Sequence, residues 1–262
     1  PEISMTQQGV GEFEKEIHYF DRFVLTHDFD WYESHFPDHG ISGEITPAYS
    51  TLSSSCVRLI HQYLPEAKII YVVRSPVDRI WSQIRMMQSA WHSSDICNFD
   101  LLTLVRLFDS PAVHLRSDYL KTYMLWRNTF GIKNILLLTF DDLILFEGLK
   151  KTLNFLQVTS EWIPSEENAS KVLSSPALDM PRELRWLCAA CWLRMLEKFS
   201  EFLPSSISWL EEMRIDFDSI PNEFNEQVEE IRSIQSDAVS QRWIKMQNHQ
   251  DSLFLALLAK LG

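Results

Sequence analysis

Glycine is scarce in this chain, with seven in 262 residues. No Gly-x-x-x-x-Gly-Lys pattern occurs among them. These residues therefore do not encode a glycine-rich loop that cradles phosphates through bare backbone N–H groups. Cysteine is sparser still. Cys56, Cys97, Cys188 and Cys191 are too few to staple a chain of this length. No apolar run approaches the length that spans a bilayer, and no signal peptide is visible. Positive charge is also short: 24 Lys and Arg against 36 Asp and Glu leave a net charge of −12. That balance argues against a nucleic-acid binder that works by general electrostatics. It leaves room for a local anion site, because a few well-placed donors suffice there.

What is present reads as a folded chain. Apolar residues make up 45% and charged residues 23%, and the length allows a sizeable core in one or two domains. The most informative stretch is Arg74-Ser75-Pro76-Val77-Asp78-Arg79-Ile80-Trp81-Ser82. It follows the run Lys68–Val73, which reads as a strand, and it opens a helix. Ser75 suits a cap with Asp78 three positions on, and Pro76 suits the first helical position. Val77, Ile80, Ile84 and Trp91 form an apolar stripe at helical spacing, and Asp78, Ser82, Arg85 and Ser89 form a polar one. Such a joint is a natural seat for a phosphate, with Arg74 adding a permanent forked charge and Ser82 a hydroxyl. An ordinary turn whose arginine pairs with a carboxylate fits the same spacing.

The stretch Lys68–Ser82 resembles the segment of sulfotransferases that binds the 3′-phosphate of 3′-phosphoadenosine 5′-phosphosulfate. Arg74 and Ser82 match that family's arginine and serine in type and spacing. Lys15-Glu16-Ile17-His18-Tyr19-Phe20-Asp21 is similar to the catalytic strand of the heparan sulfate and other carbohydrate-type sulfotransferases. Trp31-Tyr32, Phe36-Pro37 and Glu44-Ile45-Thr46-Pro47-Ala48-Tyr49 follow in that group's order. Tyr119, Trp126 and Phe130 ahead of the apolar run Asn134–Phe140 fit as well. The resemblance covers about residues 1–160.

The resemblance implies an α/β fold: a three-layer, P-loop-NTPase-like parallel sheet flanked by helices, with a helical C-terminal region. It implies an α/β domain over 1–160, N-terminally incomplete, and a helical extension over 161–262. It implies 3′-phosphoadenosine 5′-phosphosulfate as donor, a carbohydrate or small-molecule acceptor, and no metal. The base falls to Glu16, with His18 and Asp21 positioning the acceptor and tuning the base. Arg74 and Ser82 bind the donor's phosphate. Lys15 either faces the donor or is simply solvated, and Lys171 lies in a loop where the family often contacts the nucleotide. Ile45 stands where heparan-type enzymes usually carry a lysine, a departure from the family pattern that removes one oxyanion-stabilising charge and argues against a heparan-like acceptor. The family's phosphate loop is expected just upstream of Pro1, which makes this chain read as a fragment or a processed product.

The residues themselves support part of this. Glu16–Asp21 reads as a strand, which puts Glu16 and His18 on one face. Residues 1–14 look irregular. Helices are expected at about His27–Phe36, Thr51–Tyr63, Pro76–Trp91, Asp118–Phe130 and Asp141–Leu156, and strands at Gly43–Thr46, Lys68–Val73 and Asn134–Phe140. Pro181–Phe202, Ser208–Met213 and Asn222–Leu261 read as helices. Residues 92–117 read as loop with one short helix. The alternation of strand and helix implies parallel strands. Arg79 reads as a structural arginine paired with a carboxylate. His35 and His39 have metal-ligand spacing, but Pro37 breaks the helix that would align them. Cys188 and Cys191 sit in an apolar helical stretch and read as core.

Three functions remain in view. One is sulfuryl transfer to a hydroxyl. Another is a non-catalytic remnant that binds adenosine 3′,5′-bisphosphate or a partner protein. The third, a nucleotide or sugar kinase, needs a phosphate loop and a magnesium-binding carboxylate that the sequence does not display.

Overall fold

Strands β3 (Ile69–Val73) and β4 (Ile135–Thr139) pair in parallel, with Ile69 opposite Ile135 and Val73 opposite Thr139. A second parallel pair joins β1 (Ile3–Met5) to β2 (Ile41–Gly43), with Ile3 opposite Ile41. These elements belong to a computed structural model that describes residues 3–5, 16–91, 107–108, 110–144, 147–158 and 179–222. Short 3-10 and π-helical turns and α-helices make up the other elements among the described residues. In chain order the α-helices are α1 (Phe29–Glu33), α2 (Ser54–Tyr63), α3 (Pro76–Trp91), α4 (Pro111–Ser117), α5 (Tyr119–Phe130), α6 (Phe140–Ile144), α7 (Glu147–Phe155), α8 (Arg182–Phe199) and α9 (Ile207–Asp218). The class is the expected mixed α/β one, mostly helical around a small parallel sheet.

The parallel register of β3 and β4 sets their C-terminal ends side by side. Each strand runs directly into a helix there: β3 into α3 through Arg74 and Ser75, β4 into α6 at Phe140. Local chemistry fixes both exits. At β4, Thr139 and Asp142 cap each other reciprocally. Asp142 N–H donates to Thr139 Oγ1 at 3.0 Å, and Thr139 N–H donates to Asp142 Oδ2 at 3.0 Å. At β3, Arg79 N–H donates to the Ser75 carbonyl at 2.9 Å and closes the first turn of α3.

The core lies under α3, α5 and α8. On α3, Ile80 and Ile84 are fully buried, with Val77 and Trp81 beside them. On α8, Leu184, Cys188, Ala189, Leu196 and Phe199 are fully buried. The C-terminal helices pack on the rest through rings. Tyr119 meets Phe199 at 5.7 Å, Tyr123 meets Phe202 at 5.3 Å and His114 meets Trp192 at 5.1 Å. Cys188 is buried in this core, and burial first of all pushes its thiol well above the ordinary range. The helix α9 is tied to α8 by Arg185, whose Nε donates to Asp216 Oδ1 at 3.1 Å with Nη2 2.8 Å from Oδ2.

Several expectations need correction. Glu16–Asp21 is not a strand: Tyr19–Phe23 forms a π-helical turn, closed by Val24 N–H on the Tyr19 carbonyl at 2.8 Å. Tyr19 and Phe20 are neighbours and both buried, which a strand with one covered face cannot satisfy. Ile3–Met5 is a strand rather than irregular, and β2 ends at Gly43, where the expected strand begins. The single helix expected over Asp141–Leu156 is two, α6 and α7. The expected helix Asn222–Leu261 lies outside the described residues from 223 onward. Arg79 is structural, but its partners among the described residues are not carboxylates. Nη1 donates to Gln83 Oε1 at 2.5 Å, while Nη2 donates to the Val113 carbonyl at 3.0 Å and to Ser117 Oγ. Burial, opposed in part by the neighbouring Tyr119, lowers its pKa from the usual value.

Candidate functional site

The turn after Ile17 gathers three titratable side chains. His18 has φ 56° and ψ 25°, the left-handed region that non-glycine residues seldom enter. The chain reverses there and winds one turn. Asp21, three residues on, comes back beside the ring. A regular strand would have thrown Asp21 to the face opposite Glu16 and His18. The turn, not a strand, is what brings the three together.

The imidazole of His18 bridges the two carboxylates. Its Nε2 lies 2.9 Å from Glu16 Oε2, and its Nδ1 lies 3.1 and 3.0 Å from Asp21 Oδ1 and Oδ2. A ring with one N–H donates to one of these carboxylates, and only the doubly protonated ring donates to both. The side chain of His18 is 6% exposed, that of Asp21 15% and that of Glu16 26%. The chain of contacts therefore runs outward from a buried ring to Glu16, the member of the three most open to a ligand. Arg22, mostly exposed, stands 3.5 Å from Asp21.

A second layer surrounds the turn. Glu44, immediately after β2, accepts from Tyr32 Oη at 2.9 Å and Tyr49 Oη at 3.0 Å on one oxygen. Its other oxygen accepts from Thr46 Oγ1 at 2.6 Å and from the backbone N–H of Ile17 at 3.3 Å. Burial, then the charge of Glu44, raises both tyrosines far above the ordinary phenol range. They stay neutral and keep donating. Sequence reasoning dwells on Ile45 in this stretch and passes over Glu44. Ile45 is exposed. The signal that identifies Glu44 is a carboxylate at a strand exit, followed by Thr46 and Tyr49.

The other predicted site lies at the C-terminal end of β3. Arg74 is exposed, its guanidinium 5.5 Å from the centre of the Phe140 ring at the end of β4. Its carbonyl accepts from the Tyr119 hydroxyl at 2.9 Å. Nε lies 3.7 Å from Asp78 Oδ2, a long pair between two exposed groups. Such pairs contribute about 0–1 kcal/mol, so an incoming phosphate competes with Asp78 on easy terms. Asp78 and Ser82 are one turn apart on α3, and Ser82 is half-buried. Neither Arg74 nor Ser82 is sealed under the core. The donor set fits an anion: a forked cation, a hydroxyl and a helix N-terminus at the C-terminal edge of parallel strands.

Lys15 and Lys171 lie outside the described residues. Among the described residues no three His, Cys, Asp or Glu side chains form a group that could hold a metal ion. His35 is engaged locally, with Nδ1 donating to the Trp31 carbonyl at 2.8 Å. Among the described residues, no helix is long and apolar enough to cross a membrane.

Comparison with known proteins bears on the same segments. The model of a family described as the sulfotransferase family matches residues 11–158, which include both candidate clusters. No curated protein sequence matches the chain significantly. Among solved structures, the chain is similar to a sulfotransferase from Alicyclobacillus acidocaldarius, at 17% identity and a TM-score of 0.48, with 81% of this chain and 85% of that chain covered.

Proposed function

Because the chain belongs to the sulfotransferase family, we propose that it moves a sulfuryl group from 3′-phosphoadenosine 5′-phosphosulfate to a hydroxyl of a carbohydrate or small metabolite. The observation that carries this reading is the Asp21–His18–Glu16 chain of contacts on a strained turn. Glu16 is the base. Its Oε2 is held by His18, and its other oxygen takes no hydrogen bond among the described residues. In this reading that oxygen takes the proton of the acceptor hydroxyl.

The acceptor oxygen bonds the sulfur while its proton passes to Glu16. The bond from sulfur to the bridging phosphate oxygen breaks, and adenosine 3′,5′-bisphosphate leaves with that electron pair. Arg74 and Ser82 hold the ribose-linked phosphate away from the reacting sulfur. Their contribution is binding and orientation. His18, carried between two carboxylates, keeps Glu16 oriented, and Asp21 keeps the ring oriented.

The test is transfer of radiolabelled sulfate from the labelled donor to a panel of hydroxyl acceptors, with p-nitrophenol, monosaccharides and oligosaccharides as probes. Labelled product from the wild type, abolished in Glu16→Gln, supports the reading. Donor binding without labelled product on any acceptor would mean a binder rather than an enzyme. Phosphate transfer from a nucleoside triphosphate would mean a kinase.

A further inference from the structure

His18 sits in a conformation that its own backbone disfavours, so something outside the turn must hold it there. The contacts on either side of it lead to one side chain. The N–H of Ile17, the residue before His18, donates directly to Glu44 Oε2 at 3.3 Å. The N–H of Phe20, two residues after, donates to Tyr49 Oη at 3.4 Å, and that hydroxyl donates to Glu44 Oε1 at 3.0 Å. Each bond is long, and they act on the two ends of a single turn. Glu44 itself is fixed by the hydroxyls of Tyr32 and Thr46, both from buried residues.

We propose that Glu44 is the positioning residue of this site, holding the His18 turn in its left-handed form and so aligning Glu16, His18 and Asp21. The catalytic consequence rests on the sulfotransferase reading above. The structural consequence does not. Glu44 reaches no ring nitrogen of His18; it acts only through the backbone of Ile17 and, by way of Tyr49, of Phe20.

The chemistry of the four donors ranks the variants. The Ile17 N–H can only donate, whereas tyrosine hydroxyls can turn and accept. In Glu44→Gln the amide oxygen can face Ile17 and Thr46 while the NH₂ faces the two phenols. Glu44→Leu offers no acceptor at all. Tyr49→Phe removes the link to Phe20 and leaves the one to Ile17.

The experiment has a readout that needs no substrate. Long-range proton–nitrogen correlation spectra of ¹⁵N-labelled protein report the His18 ring, assigned through His18→Gln. Wild type should show ring nitrogens in hydrogen bonds. Glu44→Leu should move them toward the values of a solvent-exposed histidine. Glu44→Gln should stay near wild type, and Tyr49→Phe should move part of the way. With an acceptor in hand, kcat should fall about 100-fold in Glu44→Leu. The donor KM and the Kd for adenosine 3′,5′-bisphosphate should stay within about threefold, since Arg74 and Ser82 are untouched. Wild-type His18 resonances in a folded Glu44→Leu overturn the proposal. If that variant does not fold, wild-type resonances in Tyr49→Phe overturn it. A chain without transfer activity but with the expected resonance shifts would refute the enzymatic reading and leave the positioning role standing.

Discussion

His18 adopts a backbone conformation that costs a non-glycine residue about 1–2 kcal/mol. In return its ring faces a carboxylate on each side. This arrangement separates the roles of the two acids. Glu16 is the more exposed and is the proposed base, while Asp21, among the described residues, meets only the ring and the flank of Arg22. Glu16→Gln should therefore lower kcat by about 10²- to 10⁴-fold, the range for loss of a positioned base. Asp21→Asn should lower it about tenfold, because it removes the orienting charge and not the base. Steady-state kinetics of the two variants on one acceptor checks the order. Equal losses would mean that the two carboxylates act as a unit.

Elements differed in how plainly the residues announced them. The helix α3 was legible to the residue, because Pro76 starts it and the 3.6-residue stripe of Val77, Ile80 and Ile84 faces the core. Strands β3 and β4 were legible within a residue or two, as short apolar runs between turn signals. The turn at Tyr19–Phe23 was not. Glu16 and His18 satisfy a two-residue period, and no local signal announces a left-handed residue at His18. The split between α6 and α7 was also hidden. There Gly148 lies against the backbone of Asp142, where an added Cβ would come within 2.7 Å of its carbonyl carbon and oxygen. Those atoms cannot swing aside as a side chain can. Gly148→Ala should thus destabilise the fold by about 1–3 kcal/mol, the usual cost of overpacking. Urea unfolding with an unchanged m-value would measure it. Asp142 adds to this corner. Burial alone would raise its carboxyl, but the bonds from Thr139 and from Lys151, 3.1 Å away, hold it below the ordinary value.

Across the whole molecule, the α/β class could be read from sequence, and the residues of each motif could be named because each motif is contiguous. The network behind them could not. Glu44 joins Tyr32, Tyr49 and the Ile17 backbone across separations of up to 27 residues, and no periodicity encodes such a meeting. The packing around α8 was likewise hidden, and it carries a pH dependence. His114 lies among Phe108, Trp192 and the charge of Arg79. Burial first, then Arg79, lowers its pKa to about 4 from 6.5. The unfolded chain binds this proton more readily than the folded one. Stability from this group is therefore complete above pH 6.5 and declines as pH falls toward 4. The loss reaches at most about 3 kcal/mol. His114→Phe should flatten the decline in melting temperature between pH 6.5 and 4. An unchanged slope would place the acid sensitivity elsewhere.

The most direct test of the account is a calorimetric titration with adenosine 3′,5′-bisphosphate, on the wild type, Arg74→Ala and Ser82→Ala. The account predicts saturable binding by the wild type, a loss of at least about tenfold without the Arg74 guanidinium, and a smaller loss without the Ser82 hydroxyl. Binding that is equally strong in all three proteins, or absent from folded wild type, would contradict it.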